Sequence, residues 1–136
     1  MRDYKKEYEE RVAFIRDLLE KSGAKGIVYG NSGGKDSALV GILCKAACDN
    51  TVGIIMPCAS KRNFGQDAED ARIAADQYGI ETRFIDLTPV REAEMQQLSS
   101  LTEVTPAAAV NIAPRLRMTT LYAVAAGFKL QAAIHP

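Results

Sequence analysis

The pattern that most limits the fold is an alternation of short apolar runs with longer helical ones. "GIVYG" (26–30), "VGIIMP" (52–57) and "ETRFIDL" (81–87) read as strands bounded by turn-forming residues. Between them, 35–48 is apolar nearly all round and reads as a buried helix. Residues 64–79 form an amphipathic helix with Ala71, Ala74, Ala75 and Tyr78 on one face. Ahead of the first strand, Tyr4, Tyr8, Val12, Ile15 and Leu19 recur at helical spacing over 3–22, and Gly23 supplies a stop. Thr88-Pro89 opens a helix to about Leu98, with the threonine hydroxyl as cap and proline at the first helical position. A loop over 99–106 follows, then a last helix from 107 or 114 to 126. The tail "FKLQAAIH" (128–135) alternates like a strand. The order α-β-α-β-α-β-α-α-β predicts an α/β fold: a parallel sheet with helices on both faces and right-handed crossovers. Ligands in such sheets bind beyond the carboxyl ends of the strands.

The 136 residues suit a single domain, 1–136, able to bury roughly 65–70% of its unfolded surface. Seventeen basic and seventeen acidic residues cancel, which argues against nucleic acid or a membrane surface as a partner. The N-terminus "MRDYKKEYEERV" is too charged for a signal core, and no apolar run approaches a membrane span. The expectation is a cytoplasmic protein. Three cysteines form no disulfide framework. Cys44 and Cys48 share a helix face and read as small buried thiols. A zinc site would need four ligands, and only Cys58 and His135 remain as candidates.

The first strand runs into "YGNSGGKDSALVGI" (29–42). A Walker loop, G-x-x-x-x-G-K-[ST], would need glycine at 29 and a hydroxyl at 36; the chain has Tyr29 and Asp36. The physics of a phosphate cradle is nevertheless present. Gly33 and Gly34 allow close backbone approach and positive φ. The helix starting near Asp36 aims free N–H groups and partial positive charge at the loop. Ser32 and Ser37 add hydroxyls and Lys35 a cation. Asp36 would repel a phosphate directly, but suits a ligand of a Mg²⁺ ion bridging phosphates.

The run S-G-G-K-D-S, Ser32 to Ser37, resembles the pyrophosphate loop of the N-type ATP pyrophosphatases, a superfamily of Rossmann-like adenine-nucleotide-binding folds. "GIIMPCASKRNFGQDAEDA" (53–71) resembles the second strand and following loop of ammonia-dependent NAD synthetase. "NIAPRLRMTTLYAVA" (111–125) resembles that family's N-[IV]-K-A-R-x-R-M…YA helix. The similarity spans most of residues 1–127.

The resemblance implies a ligase of NAD biosynthesis with ATP and Mg²⁺ as cofactors. ATP adenylates the nicotinate carboxylate of deamido-NAD, pyrophosphate leaves, and ammonia gives the amide. It places Ser32, Gly33, Gly34, Lys35, Asp36 and Ser37 on the ATP phosphates, with Lys35 and Asp36 catalytic and Asp36 the metal ligand. Tyr29, Gly30 and Met56 would lie against the rest of the nucleotide, and Asn111 and Arg115 would face deamido-NAD. A homodimer is implied, with the dinucleotide site near the subunit boundary. Asp67 and Asp70 read as helix N-terminal charges, and Met118 and Tyr122 as core. His135 reads as a tail residue.

The chain departs from that pattern in two places. Ala113-Pro114 stands where the family carries lysine and alanine. Proline disfavours helix at Ala113, which would start the helix at Pro114 and take Asn111 off the face of Arg115. The family also continues with G-T-x-x-x-x-E, whose glutamate completes the metal site, whereas this sequence reaches "QAAIHP". The expectation is therefore a fold incomplete at the C-terminus. Two other readings stay open: an ATP-binding module without turnover, and a tRNA-thiolating relative.

Overall fold

A computed structural model describes residues 3–58, 64–128 and 132–134. Its elements are α1 (Tyr4–Ser22), β1 (Ile27–Gly30), α2 (Lys35–Ala47), β2 (Thr51–Ile55), α3 (Phe64–Gln77), β3 (Glu81–Phe84), α4 (Thr88–Ser99), α5 (Pro106–Ala109), α6 (Ile112–Gly127) and β4 (Ala132–Ile134). Four parallel strands make one sheet in the order β3-β2-β1-β4. The order reverses beside β1, where β4 returns to its free side. In a doubly wound sheet the carboxyl ends of the strands beside such a reversal are the usual ligand position.

The two faces are set by alternation along the strands. Val28, Val52, Ile54 and Met56 face one way and join Cys58, Leu87, Leu121 and Ala125 in a core under α6. Tyr29 faces the other way, into a core with Ala75 and Ile80 flanked by Val40. Helices therefore cover both faces, as the strand–helix alternation predicts.

Tyr29 shows why the second face closes tightly. Its ring is 1% exposed and lies between two glycines, Gly41 on α2 and Gly53 on β2. A Cβ at Gly41 would stand 2.6 Å from the ring's Cζ, and one at Gly53 would stand 3.0 Å from the same atom. The absent side chains make the slot for the ring. Burial, and secondarily the neighbouring Cys44 thiol, push the Tyr29 phenol up to about 12.

Helix ends follow local chemistry. Asp3 caps α1 by accepting from the Lys6 N–H at 3.1 Å, and Gly23 ends it in the left-handed conformation (φ 73°). Arg16 of α1 donates to the Ala46 carbonyl at 3.1 Å, tying α1 to the C-terminal end of α2. The cap of α4 lies one step earlier than the sequence suggests. Thr88 is the first helical residue, and the Asp86 carboxylate accepts its N–H at 2.9 Å. The hydroxyl–proline start expected at Thr88-Pro89 occurs instead at Thr105-Pro106, which opens the separate one-turn helix α5, with Thr105 Oγ1 accepting from Ala108 N–H.

Pro114 does not start α6. The helix begins at Ile112, and Val110 and Asn111 are already in the right-handed helical region. Pro114 then falls in the first turn, where N–H groups have no intrahelical acceptor, so its missing donor costs no helical bond. The predicted strand over 128–135 is confined to Ala132–Ile134 among the described residues. His135 and the side chain of Asp67 lie outside the description.

Candidate active site

β1 delivers the chain to the sheet's carboxyl edge at Gly30, and α2 begins at Lys35. Residues 31–34 between them form a loop closed on itself. Asn31 extends the β-ladder by donating its N–H to the Ile54 carbonyl at 2.8 Å. Its side chain is buried, accepting from Gly33 N–H at 3.2 Å and donating to the Ala71 carbonyl of α3 at 3.0 Å.

Ser37 is the centre of the loop. It is 2% exposed, and its hydroxyl donates to the Gly34 carbonyl at 3.0 Å. That uses its one proton, so it accepts from Ser32 N–H at 3.2 Å and from the Ser32 hydroxyl at 3.0 Å. Ser32 Oγ in turn accepts from Gly34 N–H at 3.4 Å. The N–H groups of Ser32, Gly33 and Gly34 thus all point inward.

An arriving anion therefore meets a different set of donors. Gly34 is the N-cap of α2 and gives no side-chain cap, and the helical ladder reaches back to it with Ala38 N–H donating to its carbonyl. The first-turn N–H groups of Lys35, Asp36 and Ser37 stand before that ladder, at the positive end of the helix dipole. The Lys35 and Asp36 side chains are exposed at the same place.

Only one of the two loop glycines needs glycine's backbone. Gly33 has φ 87°, a left-handed conformation, whereas Gly34 is extended at φ −82°, ψ 164°. Both were expected to take positive φ; one does. A Cβ on Gly34 would sit at ordinary contact, 3.5 Å from Ser32 Oγ. Its smallness keeps the approach to the helix end clear rather than relieving strain.

Two residues expected against the nucleotide bury their side chains in the core. The Tyr29 side chain is enclosed in its glycine slot, and Met56 is 5% exposed within the cluster under α6. The alternation of β1 sends Tyr29 to the α2 face, and that of β2 sends Met56 to the α6 face. Their side chains therefore position the site from below. Gly30, also buried, ends β1 directly before the loop.

Asn111 and Arg115 are brought together. Because α6 starts at Ile112, Arg115 Nη1 donates to the Asn111 carbonyl one turn back at 3.1 Å, and both residues are exposed. The expected separation of the two by Pro114 does not occur. Asn111 Nδ2 also donates to the Ala107 carbonyl at 3.0 Å, joining α5 to α6. Met118 and Tyr122, read as core, are 46% and 63% exposed and extend the outward face of α6.

Two contributors were missed from the sequence. Asn31 stands where strand becomes loop, and nothing in its spacing marks it as buried. Arg117, given no role from the sequence, is partly buried and donates from Nε to the Met56 carbonyl at 2.9 Å. It fastens α6 across the carboxyl end of β2. Beside it, Cys58 is buried and directs its thiol at the Leu87 carbonyl (3.7 Å). Burial raises its pKa against the opposing pull of Arg117 and Arg91.

Asp36 supplies a single exposed carboxylate, and no cluster of three or more potential metal ligands exists among the described residues. One carboxylate is a donor that Mg²⁺ could take together with substrate phosphates and waters. Among the described residues no helix is long and apolar enough to cross a membrane.

Comparison with known proteins agrees with this geometry. The family model for NAD synthase matches residues 7–132. The NH(3)-dependent NAD(+) synthetase of Finegoldia magna is 40% identical over 121 residues, covering 88% of this chain and 48% of that protein. The corresponding synthetase of Pyrobaculum aerophilum is 34% identical over 130 residues, covering 94% and 48%. Among solved structures, the NH3-dependent NAD synthetase of Campylobacter jejuni superposes with a TM-score of 0.85 at 30% identity, covering 97% of this chain and 56% of that one. NMN synthetase from Francisella tularensis gives 0.86 at 28%, covering 97% and 54%. The chain spans about half the length of the curated relatives it matches. A match over nearly its whole length, with the loop at the sheet's switch point, establishes that the chain belongs to the NAD synthase family.

Proposed function

We propose that the chain carries the ATP-activating site of an ammonia-dependent NAD synthetase. The observation that carries this reading is the Ser32–Ser37 loop, standing at the carboxyl end of β1 where the strand order reverses, with the first turn of α2 presenting its N–H groups.

In this reading the β- and γ-phosphates of ATP settle on the N–H groups of Lys35, Asp36 and Ser37, with the Lys35 ammonium beside them. A carboxylate oxygen of deamido-NAD attacks the α-phosphorus, and the bond from that phosphorus to the bridging oxygen breaks. Pyrophosphate leaves with the electron pair. Ammonia then attacks the acyl carbon and AMP departs, leaving the amide. Charge grows on the pyrophosphate, so fixed dipoles and a cation at the helix end stabilise the transition state more than the ground state. Asp36 would hold Mg²⁺, which supplies charge neutralisation on the phosphates when bound.

Asn111 and Arg115 present a carbonyl-anchored guanidinium on the exposed face of α6, suited to a planar or anionic part of the dinucleotide. The exposed Met118 and Tyr122 on that helix support a homodimer in which a second copy covers the face and closes the dinucleotide site. A cytoplasmic location accords with free thiols at Cys44, Cys48 and Cys58. The tRNA-thiolating alternative rests on fold alone: the U34-tRNA thiolase of Methanococcus maripaludis superposes at a TM-score of 0.67 with 19% identity.

The test is NAD formation by the purified chain from ATP, Mg²⁺, deamido-NAD and ammonium, read by an NAD-specific dehydrogenase, with calorimetric titration of Mg·ATP alongside. NAD formation that disappears in Asp36→Asn supports the full reaction. Mg·ATP binding without NAD formation reduces the reading to a nucleotide-binding module. Absence of both refutes it.

A further inference from the structure

We infer that Asn31 is a positioning residue for the phosphate loop, holding the loop in its anion-receiving shape and coupling it to α3. The inference rests on the proposed ATP reading for its ligand, but its structural content is separate. Three independent bonds converge on this one residue. Its main-chain N–H is fixed by the Ile54 carbonyl at 2.8 Å. Its side-chain oxygen accepts from Gly33 N–H at 3.2 Å, and its side-chain nitrogen donates to the Ala71 carbonyl at 3.0 Å.

The side chain is 4% exposed, so these bonds form away from competing water. The primary amide accepts with its oxygen and donates with its nitrogen. Aspartate could only accept, and leucine, of nearly the same shape, could do neither.

The consequence for ligand recognition follows from which donors remain. Gly33 sits at φ 87°, and the bond from its N–H to Asn31 turns that donor inward. With Ser32 and Gly34 N–H groups also bonded within the loop, the anion is directed to the first turn of α2. Without Asn31, Gly33 N–H is released and the loop gains conformers that do not present this surface. Ordering them again on binding weakens affinity. The Ala71 bond also makes α3 a wall of the loop, so displacement of α3 moves the phosphate site.

The experiment compares the full chain with Asn31→Leu and Asn31→Ser. Gly33 amide exchange is read by NMR, and Mg·pyrophosphate affinity by calorimetry. Asn31→Leu is expected to speed Gly33 exchange by about tenfold or more and raise the Kd by about tenfold, the size of losing one or two buried bonds. Asn31→Ser keeps a short acceptor for the N–H two residues on and loses the Ala71 bond, so it should fall between. A merely structural role would lower Tm while leaving Gly33 exchange and the affinity of the folded protein unchanged, and that result in Asn31→Leu overturns the inference. Should Asn31→Leu not fold, Asn31→Ser decides by the same two readouts. A wild-type chain without Mg·pyrophosphate affinity overturns the ATP reading, while Gly33 exchange still judges whether Asn31 holds the loop.

Discussion

Replacing Gly41 by alanine sets two physical effects of opposite sign against each other. Gly41 lies inside α2, where alanine is favoured over glycine by about 0.8–1 kcal/mol. On helix propensity alone, Gly41→Ala should stabilise. The structure predicts the reverse, because the new Cβ would stand 2.6 Å from Cζ and 2.9 Å from Cε2 of Tyr29. Carbon atoms in contact prefer about 3.5–4.0 Å, so the ring or the helix must retreat by about 1 Å. The ring has nowhere to go: it is 1% exposed, and Gly53 lies against its Cζ and Cε1. Overpacking of this kind costs about 1–3 kcal/mol, and with two ring atoms inside 3 Å the upper part of that range applies. Subtracting the propensity gain leaves a net loss of about 2 kcal/mol, or about 6–8 °C in Tm for a chain of this size. Urea unfolding followed by circular dichroism measures it. Tyr29→Val in the same background should make the substitution less harmful by at least about 1 kcal/mol, since removing the ring removes the clash. A Gly41→Ala protein more stable than wild type, or one whose loss is unchanged by Tyr29→Val, refutes the slot. Under the proposed function a cost to ATP binding has the same origin, because α2 carries the proposed phosphate-binding N–H groups at its N-terminal end.

Further outcomes follow from the same geometry. The Tyr29 phenol is raised from 10.0 to about 12, so between those values the native state keeps a proton that the unfolded chain releases. Its contribution is fully present below pH 10 and lost as pH rises toward 12; a Tm that stays flat across that window would contradict it. Cys44, raised by burial and then by Cys48 from 9.0 to about 11, adds a loss of the same sign between those values. Of the three thiols, partly exposed Cys48 should react with a disulfide reagent well ahead of buried Cys44 and Cys58, as peptide mapping after brief labelling would show. Ser37→Ala removes the acceptor of two loop bonds and the donor of a third, and should cost about 1–3 kcal/mol together with most of the Mg·ATP affinity; a stable variant that binds normally counts against the loop as described. Asp36→Asn alters an exposed residue, so stability should hold within about 0.5 kcal/mol of wild type while Mg²⁺-dependent ATP binding falls, checked by titration with and without the metal.

How much of this was legible in the sequence varied with the range of the interaction involved. Strands and helices followed from period and punctuation because those signals are local: glycine at 23, the apolar run at 27–30 and the proline-led starts all act within one turn. Pro114 misled because the rule against helix before proline is weakest in a helix's first turn, and the turn at 106–111 had already brought the chain into helical geometry. Tyr29 and Met56 were placed against the nucleotide by the family resemblance, which says nothing of where each side chain points. Pleating fixes the side chains, sending each into a different core. Arg117 and Asn31 were beyond a local reading for a different reason. Their partners, Met56 and Ala71, lie 61 and 40 residues away along the chain, so their value appears only once the sheet has brought those carbonyls near.

Under the proposed function, the loop illustrates how a phosphate site can be stable before its ligand arrives. A loop with three free N–H groups would leave them to water or to one another, and it would sample many shapes. Here Ser37, Ser32 and Asn31 take up those donors, and the shape is fixed in the free protein. Recognition then falls to the helix end, whose N–H groups are held by the helix itself and need no ordering when an anion binds. The same arrangement accounts for the aspartate that separates this loop from a Walker site. With the backbone donors at the start of α2 aimed at the phosphates, a carboxylate in that first turn is stabilised by the dipole and stands exposed beside them. A hydroxyl at 36 could coordinate a cation only weakly, whereas a carboxylate brings a full negative charge to it. Asp36→Ser should therefore leave the loop's internal bonds intact and fail selectively in metal-dependent binding, whereas Ser37→Ala should damage loop order and binding together.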